Sequence, residues 1–179
     1  DALAITDHGV MFGAIEFYVE AINVGIKPII GVEAYIAPRS RFEKSYKNNQ
    51  ETAGHLVLLA KDETGYKNLM KLVTIGYLEG FYYRPRIDKE ILAQYSQGLI
   101  GLTSCLHGEI PTMLQNNQFK EALKVSDDYK QIFGKDNFYL ELQENGIPEQ
   151  KKVNQGLLTI SKELDIPPVA TNDVHYLTR

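Results

Sequence analysis

The feature that most constrains this chain is a repeated alternation of short apolar runs with segments whose apolar residues recur at helical spacing. Each short run suits a buried strand and each periodic segment a helix with one apolar face, which is the pattern of an α/β fold. Residues 2–6 form the first run, ending at Asp7, His8 and Gly9. Residues 11–24 follow at helical spacing, with Ile15, Val19 and Ile22 on one face and Gly25 as the stop. A second strand is expected over 29–36, interrupted by Gly31. Residues 37–54 are polar and irregular, with Arg39, Arg41, Lys44 and Lys47 against Glu43 and Glu51, and read as a long surface excursion. A third strand over 56–60 precedes a helix over 65–78 bearing Leu69, Leu72, Val73 and Tyr77. The aromatic and basic stretch GFYYRPRID comes next, and Asp88 caps a short helix to Tyr95. The fourth strand covers 99–103 and runs into a polar turn through Cys105 and His107. An amphipathic helix over 119–133 stops at Gly134; a strand over 138–142, a helix over 148–164 and a sixth strand over 169–171 complete the series.

Six such units in one direction predict a barrel or a doubly wound sheet. Ligand-type residues follow the first, fourth and sixth strands and lie inside the second, as expected of a barrel whose strand ends converge on one face. A doubly wound sheet would usually open with a Gly-rich phosphate loop, and none is present. A length of 179 residues fits one domain. Lys and Arg total 19 against 23 Asp and Glu, a formal charge of -4 that excludes a basic nucleic-acid footprint over the whole chain but leaves room for local strips. The single cysteine, Cys105, excludes an internal disulfide and fits a reducing cytosol. No apolar run approaches the ~18 residues a membrane span needs. The chain opens at Asp1 inside one strand and stops just after another, so it reads as a piece of a longer protein.

Two motifs carry chemistry most directly: TDHG at 6–9 and TNDVH at 171–175. Each sets a carboxylate and an imidazole on the turn leaving a buried strand. Asp173 and His175 are two apart, which directs both to one side of an extended chain. Carboxylate oxygen with imidazole nitrogen suits Zn, Mn or Fe better than Ca. Taken singly, each motif also fits a capping Asp and a structural His; two at equivalent positions favour ligands. Glu33, inside the apolar strand PIIGVEAYI, must be paired or must coordinate something, by a salt bridge or by bridging two metals. From the residues alone His55 and Cys105 are ambiguous, and His107 competes for whatever role the Cys105 turn has. Tyr82, Tyr83, Arg84 and Arg86 form a candidate phosphate and base contact strip, or an ordinary loop with aromatics tucked beneath it. Ser104 and Cys105 lack a base and orienter, and no GxSxG or P-loop motif occurs.

The segments LAITDHG, IKPIIGVEAYI, HLVLLAKDETGYKNLMKL, EGFYYRPRID, GLIGLTSC and PVATNDVHYL, in this order, resemble the PHP (polymerase and histidinol phosphatase) domains of bacterial replicative polymerases, the DNA polymerase III α subunits. The resemblance implies a distorted seven-stranded β/α barrel, incomplete here with about six β/α units, carrying up to three divalent metals, Zn or Mn. His8, Glu33, His55, Cys105, Asp173 and His175 match the family's ligand positions; Asp7 matches a supporting position beside them. His107 does not align with a ligand. It also implies an opening His-x-His strand before Asp1, a seventh strand beyond Arg179 and polymerase domains downstream of 1–179. One metal position, at Glu33, His55 and Cys105, is then complete, whereas those at Glu33–Asp173 and His8–His175 lack partners. Two unpaired sheet edges predict poor solubility for residues 1–179 alone.

The resemblance further implies a cytoplasmic parent protein that extends DNA primers, with Mg at its polymerase site and with DNA, a sliding clamp and a proofreading subunit as partners. The domain itself would be a metal-dependent phosphoesterase acting as a 3′–5′ exonuclease, with His8 or His175 assisting proton transfer and Tyr83, Arg84 and Arg86 touching nucleic acid. A non-catalytic scaffold that docks a separate exonuclease, or a stand-alone phosphatase, are the alternatives.

Overall fold

In the computed structural model, which describes residues 1–44 and 53–176, the architecture is organised by one long strand. Lys47, Glu51 and Arg179 lie outside the described residues. The chain runs through β1 (Ala2–Ile5), α1 (Ala14–Asn23), β2 (Lys27–Ile36), β3 (Gly54–Ala60), α2 (Glu63–Leu78), β4 (Arg86–Ile87), α3 (Lys89–Gln94), β5 (Leu99–Leu102), α4 (Glu109–Gln115), α5 (Phe119–Phe133), β6 (Phe138–Leu142), α6 (Pro148–Leu164) and β7 (Pro168–Ala170). With ten residues, β2 is long enough to pair β1 through its first half and the short β4 through Tyr35 and Ile36, both in parallel. Its other edge pairs β3, and the order continues through β5, β6 and β7. His8, just after the first strand of this order, stacks on His175, just after the last, with ring centroids 5.8 Å apart. The sheet therefore curls until its two ends meet, an incomplete β/α barrel.

One direction differs from expectation. The third strand, β3, runs antiparallel to both β2 and β5, whereas the remaining pairings are parallel. Nothing in an apolar run encodes its direction, and the connection preceding β3 contains no helix among the described residues. The reversal has a consequence for chemistry. It brings the start of β3, where His55 sits, to the same end of the sheet as the C-terminal ends of β1, β5 and β7.

Packing follows sequence closely in the C-terminal half. Helix α5 buries Ala122, Val125, Ser126, Tyr129 and Phe133, a stripe at three- and four-residue spacing. Phe133 and Phe138 stack with their planes 4° apart, and Tyr129 adds to the same cluster. Gly101 on β5 makes room for that ring, because a Cβ there would lie 2.5 Å from Phe133. In the N-terminal half the face expected to be buried is not. Ile15, Val19 and Ile22 of α1 are 66%, 47% and 53% exposed, and the helix packs instead through Ala14 and Ala21.

Residues 37–44 are more firmly held than a surface excursion. Arg41 is buried and donates to both carboxylate oxygens of Asp88 at 3.1 Å and to Glu79 at 2.7 Å. The same Asp88 carboxylate accepts the Arg41 N–H at 2.8 Å and caps α3 through the Ile91 N–H at 3.1 Å. Among the described residues no helix is long and apolar enough to cross a membrane.

Candidate metal centre

Side chains alternate along a strand, so Glu33 and Tyr35 of β2 project from one face of the sheet. The register sets Tyr35 opposite His55 and Glu33 opposite Val57, which places His55 diagonally beside Glu33 on that same face. Backbone bonds hold the turn after β1 against them: the Glu33 N–H donates to the Asp7 carbonyl at 3.0 Å and the Gly9 N–H to the Glu33 carbonyl at 2.9 Å. His8, between them, thereby turns toward Glu33.

The Glu33 carboxylate lies at the middle of the cluster. Its Oε1 lies 2.7 Å from His55 Nδ1 and accepts from the Ser104 hydroxyl at 2.8 Å, while Oε2 lies 3.5 Å from His8 Nδ1. Ligand atoms of His8, Glu33 and His55 all fall within 4.8 Å of one another. Cys105 Sγ stands 3.9 Å from both Glu33 Oε1 and His55 Nδ1. His175, 3.3 Å from Asp173, closes the other side by stacking on His8. His107 joins as well, with Nδ1 3.8 Å from Cys105 Sγ and its ring 5.6 Å from that of His55. All four histidines of the chain thus form one connected cluster. Imidazole nitrogen, carboxylate oxygen and a thiol drawn this close are donor types that divalent transition metals take, so the residues present fit a divalent metal.

Electrostatics favour a cation here. Burial would raise the Glu33 carboxyl, but hydrogen bonds from His55 and Ser104 and the charges of His55 and His8 hold it below the usual range. Burial would lower the His55 imidazole, yet its contacts with Cys105 and Glu33 raise it to about 9. One proton on His55 thus compensates an ionised Glu33 in the metal-free protein.

A cleft of about 450 Å³ opens over the cluster, lined by His8, Tyr35, Ala53, His55, Arg84 and His107. Arg84, whose guanidinium lies 5.6 Å from the Tyr35 ring, presents a cation beside the ligands. Tyr83 is exposed. Arg86 departs from expectation: it is 2% exposed and donates to the backbone carbonyls of Gly80, Arg41 and Glu43, so it braces the loop and is not open to nucleic acid. A basic residue next to a proline looked like surface, but its two-residue strand β4 buries it. Asp7 supports Glu33 through its backbone, while its side chain faces the start of α1, where a Cβ on Gly13 would come within 3.3 Å of the carboxylate.

Glu141 and Ser104 were missed as contributors. Glu141 lies in β6 and is 4% exposed. Burial pushes its carboxyl up to about 7, against hydrogen bonds from Thr171 and Ser104, and the charges of Glu33 and Asp173 push the same way. A carboxylate inside the apolar run FYLEL was the available signal, the same one that singled out Glu33.

The family model described as PHP domain matches residues 1–145. The chain belongs to the PHP domain family. The chain is 53% identical to the DNA polymerase III subunit alpha of Borreliella burgdorferi over 177 residues, which cover 99% of this chain and 15% of that protein. It is 50% identical to the subunit of the same name from Thermus aquaticus over 181 residues, again 99% and 15%. The counterpart in Mycobacterium tuberculosis is 44% identical over 191 residues, 99% and 16%. The chain therefore spans about 15% of the length of these relatives.

Proposed function

We propose that this PHP unit is a metal-dependent phosphoesterase that removes nucleotides from DNA 3′ ends, within a cytoplasmic replicative polymerase that extends primers. The observation that carries this is the convergence of His8, Glu33 and His55 to within 4.8 Å at the floor of a cleft that Arg84 also lines. Phosphodiester hydrolysis needs metal ligands and a cation for the phosphate in one place, and both are there. His8, Glu33, His55, Cys105, Asp173 and His175 would hold divalent metals, Zn or Mn, which supply Lewis acidity and an activated water. Arg84 binds and orients the phosphate, and exposed Tyr83 offers an aromatic face to a base. His8 or His175, both exposed, would assist proton transfer to the leaving oxygen when not holding a metal. The similarity to DNA polymerase III α subunits supports a polymerase parent with DNA as its partner; the family resemblance adds polymerase domains beyond 1–179, a Mg-dependent synthesis site, a sliding clamp and a proofreading subunit to the proposal.

The test is His8→Ala with Asp173→Ala in the full-length protein. Exonuclease activity on a 3′-mismatched primer is expected to fall at least ~100-fold with primer extension intact. Unchanged exonuclease activity would contradict the assignment, and loss of a bound separate exonuclease in the same variant would favour the scaffold reading.

A further inference from the structure

The geometry points to Glu141 as a positioning residue of the metal centre, a clasp that holds the Ser104–Cys105 turn to the Thr171–Asp173 segment. The inference rests on reading the site as a metal centre and assigns it a determinant outside the ligand set. Glu141 hydrogen-bonds the backbone and the hydroxyl groups on either side of the ligands. Its Oε2 accepts the Ser104 N–H, and its Oε1 accepts the Thr171 hydroxyl at 2.8 Å. Its own N–H donates to the Thr103 hydroxyl at 2.8 Å, so β6 is tied to the end of β5 by side chain as well as by strand pairing.

Each arm ends next to a candidate ligand. Ser104 precedes Cys105 and has φ +64°, a left-handed conformation that a residue with a Cβ rarely adopts unless its contacts hold it there. Two carboxylates secure that conformation: Glu141 takes the Ser104 N–H, and Glu33 takes its hydroxyl at 2.8 Å. Thr171 stands two residues before Asp173. Its hydroxyl also lies 3.4 Å from the Gln143 side-chain amide, which steadies the second arm. Glu33, Ser104, Glu141 and Thr171 thus form a continuous hydrogen-bonded chain from the central carboxylate to the segment after β7 that carries Asp173 and His175. Strand β7 ends after three residues, and beyond it the Thr171 side-chain bonds add to one backbone bond, from the Thr171 N–H to the Leu142 carbonyl at 3.2 Å, in fixing where the following turn begins. Ligand geometry depends on such outer contacts, whose loss typically costs metal affinity 10- to 100-fold.

Zinc affinity by chelator competition, with metal-free Tm measured in parallel on the full-length protein, tests the clasp. Glu141→Ala is expected to weaken zinc about tenfold or more, while Glu141→Gln stays near wild type because its amide can still accept from Ser104 and donate to the Thr171 oxygen. Thr171→Val removes one arm, keeps Glu141, and is expected to lie between them; it carries the test if Glu141→Ala does not fold. Wild-type zinc affinity in a folded Glu141→Ala or in Thr171→Val, with or without a lowered metal-free Tm, overturns the positioning role. Absence of both zinc and manganese binding by the folded wild-type protein would overturn the metal-centre reading itself, and the clasp with it.

Discussion

At the residue scale, ionised Glu33 and protonated His55 stabilise one another at neutral pH without a metal. The folded value of His55, about 9, lies above its ordinary 6.5, so its stabilisation is complete below pH 6.5 and is lost as pH rises through 9. Glu33 is lowered, so its contribution is present above pH 4.5 and lost as pH falls below that. The difference in metal-free Tm between wild type and His55→Gln should therefore narrow between pH 6.5 and 9; a constant difference would contradict this. Zinc must displace the same proton, so its apparent affinity should rise by up to about tenfold per pH unit across that window. Arg41 and Asp88 make a different kind of pair, buried and removed from the site. Asp88→Ala leaves Arg41 with Glu79 alone and strips α3 of its cap, with an expected loss of at least about 2 kcal/mol in a denaturant melt.

At the element scale, helix and strand boundaries in the second half follow from local chemistry. Residues 119–133, 138–142 and 148–164 are α5, β6 and α6 as expected, because Gly134 and Pro148 punctuate them and tertiary packing agrees with their periodicity. Elements decided by long-range pairing were not legible. Strand β4 has two residues and exists only because β2 extends past β1. Helix α4 has seven residues and starts after Gly108, which offers no side-chain cap, so nothing in the sequence marked it between the Cys105–His107 turn and α5. The reversal of β3 leaves no mark on its sequence, yet it determines which end His55 reaches. Packing on the helix side of β5 gives a direct test. Gly101→Ala should destabilise by about 1–3 kcal/mol by overfilling the space beside Phe133. Combining it with Phe133→Leu should cost less than the sum of the two single changes; strict additivity in urea melts would contradict the proposed contact.

At the scale of the whole molecule, the site is where the curled sheet meets itself. His8 comes from one end of the strand order, His175 from the other, and Glu33, His55 and Cys105 lie between them. Sequence motifs identified Asp7–His8, Glu33 and Asp173–His175 because carboxylates and imidazoles beside apolar strands demand an explanation. His55, Cys105 and His107 become meaningful only when folding brings their strands together, and Arg86 lost its place when folding buried it. A metal bound across this seam would join the two ends of the sheet and stabilise the folded state by about 2.7 kcal/mol at a concentration of 100 Kd. The most direct measurement is metal analysis of the purified full-length protein after equilibration with Zn or Mn and removal of the free ion. At least one metal per chain should remain in the wild type and be lost in Glu33→Gln. A wild-type protein that is folded but retains neither Zn nor Mn would contradict the account.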